Sequence, residues 1–135
     1  MVNARKKWIR YELETIKKYK KVGYLEAKSS RLASKLTDDK GVDIVEVWNY
    51  LPQCKNYQKN YSVGQTMELI KGIRKNFKDW IPIIHVKLTE KRRAVVITEE
   101  NIFFELLDQI QQEKKRADKY KNQMIKYKKK LEKNL

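Results

Sequence analysis

The last third of the chain leaves the least freedom. Phe103, Leu106, Ile110, Glu113, Ala117, Tyr120, Met124, Tyr127 and Leu131 follow one another at alternating spacings of three and four. That period is a helical a/d seam sustained over about four heptads. A strand would throw the same side chains to both of its faces. The spacing therefore predicts one long helix from Glu99 almost to Leu135. Thr98 is its expected N-cap, with Glu99 and Glu100 in the first turn. Glu113 and two tyrosines interrupt the seam, so a single exposed helix is the alternative to a coiled coil. The pattern favours packing, and a homodimer through this helix is the expected assembly.

Upstream, residues 3–22 read as a helix with Ile9, Leu13, Ile16 and Tyr19 as one apolar stripe and Gly23 as its stop. Residues 24–36 suggest a second helix through Leu25, Leu32 and Leu36, followed by a turn over 37–41. Residues 42–48 are β-branched and fit either a strand or the apolar edge of a short helix. Residues 51–60 are polar, contain Pro52 and read as a connector. The expected organisation is three segments. Residues 1–52 form a helical region, a candidate second DNA-binding lobe. Residues 53–107 form the central domain, and residues 108–135 the basic C-terminal helix.

In the central segment, Ser62 and Gln65 stand in capping-box positions ahead of a short helix over 63–70. Lys71-Gly72 separates it from a second helix over 73–81, with Ile73, Phe77, Trp80 and Ile81 on one side. Residues 83–88 and 93–97 are β-rich runs around Thr89-Glu90-Lys91-Arg92, a hairpin with a basic tip. Helix, turn, helix, two-stranded hairpin and helix is the order of a winged helix-turn-helix. The expected fold class is thus mainly α with a small β component: a winged helix-turn-helix followed by a long C-terminal helix.

Over residues 61–107 the chain resembles the winged-helix domains of MerR-type regulators and of phage or transposon excisionases. The resemblance rests on Tyr61-Ser62-Val63 entering a helix, on Trp80-Ile81, on Lys91-Arg92-Arg93, and on Val96-Ile97-Thr98-Glu99-Glu100-Asn101 opening the last helix. It implies a regulator or accessory factor of a plasmid, phage or transposon, acting in transcription regulation, excision or conjugation. The long final helix is similar to the MerR dimerisation helix.

Charge names the expected partner. The chain has 135 residues, 32 Lys+Arg and 17 Asp+Glu, a net +15. Residues 1–52, 53–100 and 101–135 each carry an excess of five basic groups. The basicity is spread through every segment, which points to a polyanion and first to double-stranded DNA. On the second helix, Arg74, Lys75, Asn76 and Lys78 are the expected readers of the major groove. On the hairpin, Lys87, Lys91, Arg92 and Arg93 are expected to grip phosphate or enter the minor groove. Two other readings stay open: an assembly protein docking through its C-terminal helix, and a single-strand binder using Tyr interleaved with Lys.

No nucleophile elbow, phosphate-cradling Gly loop or metal-ligand spacing is present in the sequence. One cysteine, Cys54, and one histidine, His85, allow neither an internal disulfide nor a Cys/His zinc site. The expectation is a non-catalytic protein with no cofactor and no metal. Apolar runs such as residues 80–84 are too short to insert into a membrane. With no signal-peptide pattern at the N-terminus, a cytoplasmic location is expected.

Overall fold

A computed structural model describes residues 4–33, 35–57, 62–88 and 93–135. The chain is mainly helical, with two small sheets, and forms two compact units, Met1–Thr98 and Glu99–Leu135.

The first unit begins with helix α1 (Ala4–Lys21), closed by Gly23 at φ +115°. The helix lies where expected but turns another face inward. Leu13, on the expected stripe, is 47% exposed, while Tyr11, Glu12, Thr15 and Ile16 are buried.

The second helix expected over 24–36 does not form. Strand β1 (Lys28–Ser29) and two short helices, α2 (Ser30–Ala33) and α3 (Lys35–Asp39), take its place. Leu25 and Leu32 are exposed, so their spacing has no core to face; the Leu36 side chain lies outside the described residues. Strand β2 (Ile44–Val45) pairs antiparallel with β1, so of residues 42–48 only these two form a strand, and none is helical.

The connector expected from residue 51 is instead strand β3 (Tyr50–Tyr57), through which the expected 52/53 boundary passes. Pro52 is compatible with a strand at this position. β3 is an edge strand of the order β3-β4-β5, and the missing N–H of Pro52 falls on the side away from β4, where no ladder bond is lost.

Helix α4 (Val63–Asn76) carries the expected capping box: Gln65 N–H donates to Ser62 Oγ at 3.2 Å, and Ser62 N–H to Gln65 Oε1 at 3.2 Å. Its expected end at Ile70, before Lys71-Gly72, is not observed. A mid-helix Gly costs only about 1 kcal/mol, and burial of Thr66, Ile70 and Ile73 along one stripe carries the helix past it.

The chain then enters strand β4 (Ile81–Leu88), parallel to β3, so α4 is the crossover that a parallel pair requires. The second helix expected over 73–81, and with it the helix-turn-helix, is absent among the described residues. Ile73 lies in the last turn of one helix while Ile81 starts a strand, and their spacing only imitates a helical face.

The hairpin forms as expected: β4 pairs antiparallel with β5 (Ala94–Ile97), with Lys87 opposite Ala94. Its tip, with Lys91 and Arg92, lies outside the described residues.

Alternation along the strands sorts the core into two faces. Cys54 joins Tyr11, Ile16, Ala27, Ile44 and Val47 on the α1 side. Leu51, Ile84 and Val86 join Val42, Ile70 and Ile73 on the α4 side.

The second unit is helix α5 (Glu100–Lys133), the long helix expected from the seam. Its N-cap is Glu99, not Thr98; the Thr98 hydroxyl donates instead to the Pro82 carbonyl at 3.1 Å. Phe103, Ile110, Tyr120, Met124, Tyr127 and Leu131 are all exposed along it. No helix of the described residues is long and apolar enough to cross a membrane.

Candidate active site

The residues singled out for DNA contact are not gathered into one surface. Arg74 Nη1 donates to the Lys78 carbonyl at 3.1 Å and the Trp80 carbonyl at 3.4 Å, closing the C-terminal end of α4. Asn76 Nδ2 donates back to the Gly72 carbonyl at 3.2 Å. Lys75 and Lys78 are exposed beside them. Lys87 belongs to the other side of the sheet, where it pairs with Glu14 at 3.6 Å and lies 5.7 Å from the Tyr11 ring centroid. Arg93 is exposed just before β5, while Lys91 and Arg92 lie outside the described residues.

A different set of residues does converge. Glu12, in the middle of α1, is fully buried. Its Oε1 accepts from the Ser29 hydroxyl at 2.6 Å and from Arg31 Nη2 at 3.0 Å. The Arg31 guanidinium also stacks over Trp8, 5.3 Å from the ring centroid. Glu12 Oε2 has no hydrogen-bond partner among the described residues. Arg31 Nε is in the same state, so the two belong to one buried ion pair whose outer atoms have room for a bridging polar group.

Asp43 sits at the edge of β3 that β4 does not occupy. Its N–H donates to the Pro52 carbonyl at 3.0 Å, and its Oδ2 accepts from the Cys54 N–H at 2.7 Å. These two bonds fix the Asp43 carboxylate against β3. Burial pushes its pKa up to about 7; the Cys54 N–H opposes that rise, the negative charges of Glu12 and Asp38 add to it, and the Lys55 ammonium pulls it back. Glu12, Asp38 and Lys55 are thus all electrostatic neighbours of Asp43.

On β3, Gln53 and Lys55 alternate with Cys54 and share the opposite pleat face. Gln53 is 5% exposed, and its Oε1 also has no hydrogen-bond partner among the described residues.

Cys54 and His85 point away from chemistry. Burial and the neighbouring Asp43 charge push the Cys54 thiol up to about 12, so it is an inert core residue. Burial, with help from Lys18, lowers His85 to about 4. The neutral imidazole Nε2 lies 2.6 Å from the Tyr19 hydroxyl. With Tyr19 as donor, the ring proton sits on Nδ1.

Among the described residues no group of three His, Cys, Asp or Glu side chains is arranged to hold a metal. What surrounds Asp43 is one hydrogen-bonded backbone N–H and the charges of Glu12, Asp38 and Lys55. Magnesium binds through one or two carboxylates and keeps waters and substrate phosphates for the rest of its shell. A carboxyl poised near neutrality beside an ammonium is also the electrostatic pattern of a catalytic site.

Sequence reasoning missed Glu12, Asp43, Gln53 and Lys55. A signal was present: an aspartate, then ten residues later a Gln-x-Lys whose two members share one face if the segment is a strand. Reading that segment as a connector concealed it. No family model, curated protein or solved structure matches the chain.

Proposed function

We propose that the chain binds double-stranded DNA electrostatically and hydrolyses its backbone with a divalent cation held at Asp43. The observation behind this reading is the pair of buried, electrostatically coupled carboxylates, Glu12 and Asp43, inside a chain of net charge +15. Glu12 is already paired with Arg31. Asp43, desolvated and beside the Glu12 charge, weakens the fold when ionised. A hard dication would reverse that effect.

A bound dication would polarise the phosphate and lower the pKa of an attacking water. Asp43 would hold it, with water and phosphate oxygens completing its shell. Lys55 draws the phosphate towards Asp43 and offsets the charge that grows on it in the transition state. Arg31 and Ser29 keep the Glu12 carboxylate in place. The exposed Lys75, Lys78 and Arg93 are available to neutralise phosphates, which gives salt-dependent binding. The β4–β5 hairpin serves as the wing of the MerR- and excisionase-type resemblance, while α4 contributes phosphate contacts in place of base readout.

Duplex DNA incubated with the purified chain and Mg2+ is expected to be cut, and EDTA to stop the cutting. Asp43→Asn and Lys55→Met are each expected to slow it roughly a hundredfold or more, the scale of losing one electrostatic stabiliser, while gel-shift binding persists. Binding without cleavage in Mg2+ and in Mn2+ would return the chain to the non-catalytic role expected from its sequence.

A further inference from the structure

A second feature of the first unit is unused by that chemistry. Residues 46–48 make a tight turn in which Glu46 (φ 65°) and Trp48 (φ 50°) both adopt the left-handed region that favours glycine. The turn holds Trp48 76% exposed, and Trp80, just ahead of β4, is 43% exposed. Both line a groove of about 340 Å3, together with Tyr50, Phe77, Lys28 and Glu46. Large aromatic side chains left in water beside a lysine, on a strained backbone, are poorly explained by folding alone.

We infer that this groove receives one unpaired nucleobase of the bound polynucleotide. Flat aromatic rings offer stacking surfaces that every base can use. Lys28 supplies a cation for the adjoining phosphate, and the Glu46 carboxylate can accept from an exocyclic amine such as cytosine N4. The volume falls within the range of small-ligand sites. Position supports the assignment too. Tyr50 and Leu51 line the groove, and Gln53 follows on the same strand, roughly 7–10 Å further at the usual rise per residue. The groove thus lies at the start of the strand that carries Lys55. The substrate class is therefore duplex DNA carrying an unpaired base, and this inference rests on the nucleic-acid reading above.

The test uses three labelled probes in metal-free buffer at one salt concentration: a fully paired duplex, the same duplex with one extra unpaired cytosine, and the same duplex with an extra abasic residue at that position. Fluorescence anisotropy is expected to show the cytosine probe bound about tenfold or more tighter than the other two, the scale of one stacked base, with quenching of tryptophan emission. Trp48→Ala is expected to abolish the preference and leave paired-duplex affinity within about twofold; Trp48→Phe is expected to restore most of it. Equal affinity for the cytosine and abasic probes, or a preference that survives in Trp48→Ala, overturns the groove assignment while leaving duplex binding intact. Failure to bind any of the three overturns both readings.

Discussion

The two faces of the three-stranded sheet are packed on opposite principles. On the α4 side, Ile70 and Ile73 meet Leu51, Ile84 and Val86, and no titratable group belongs to the cluster. On the α1 side, the helix buries a glutamate, a threonine and a tyrosine among its four most enclosed residues, and the strands present a cysteine and a histidine to it. The first arrangement is what hydrophobic burial alone selects. The second forfeits part of that gain, because each buried polar group must find a partner or weaken the fold. One side of the sheet makes the unit stable, the other spends stability on buried polar groups, and Asp43 is held at the edge between them.

The largest effect that would break this contrast is expected on the apolar side. Ile73→Ala opens a cavity against Ile84 and Val86 and should destabilise the first unit by about 2–5 kcal/mol in chemical denaturation. DNA cleavage by the fraction that remains folded should be unchanged. A cleavage defect in that fraction would show that α4 also shapes the site.

On the polar side the sign should invert. Asp43→Asn keeps an acceptor for the Cys54 N–H but removes a charge whose folded pKa is raised to about 7. Below pH 4 the wild-type carboxyl is neutral in both states, and its contribution to stability is fully present. That contribution is lost as pH rises through about 7. At pH 8 in EDTA, Asp43→Asn should therefore be more stable than wild type, by roughly 1–3 kcal/mol. Mg2+ should raise the melting temperature of wild type more at pH 8 than at pH 6, and should leave that of the variant unmoved. A variant less stable than wild type at pH 8 would mean that Asp43 is structural.

How much of this was legible beforehand follows the same division. The apolar side and the repetitive parts could be read. The α4 capping box, the β4–β5 hairpin and the long α5 helix all obey local rules of spacing and turn chemistry. The polar side could not. In α1, Leu13 completes an apolar stripe on paper, yet Glu12 is the residue that goes inside, held by Ser29 and Arg31 from seventeen and nineteen positions away. Spacing rules assume that burial follows hydrophobicity, so a buried glutamate is invisible to them. β3 was hidden by Pro52 and by Gln53, Lys55 and Asn56, which look like loop residues until Asp43 is known to occupy the strand edge. The expected second helix over 73–81 failed for a related reason: periodicity cannot distinguish one continuous face from the end of a helix followed by the start of a strand.

The smallest effect concerns the pH profile, and it tests whether the titrating groups belong to the polar side. His85, facing Tyr19 with Lys18 nearby, has its folded pKa lowered to about 4. Its contribution to stability is present above about pH 6.5, its ordinary value, and is lost as pH falls towards 4. In that window the unfolded chain carries the extra proton, so stability rises with pH. Asp43 acts in the opposite sense over the same window, because there the folded chain carries the extra proton. Each slope approaches about 1.4 kcal/mol per pH unit, so the two should nearly cancel in wild type and leave a flat profile from about pH 4 to 6.5. Asp43→Asn should unmask a rise across that window, and His85→Phe a fall that continues to about pH 7. Urea denaturation of the three proteins at half-unit pH steps would show it. A wild-type profile with a steep slope that neither substitution alters would place the dominant titration outside this side of the sheet.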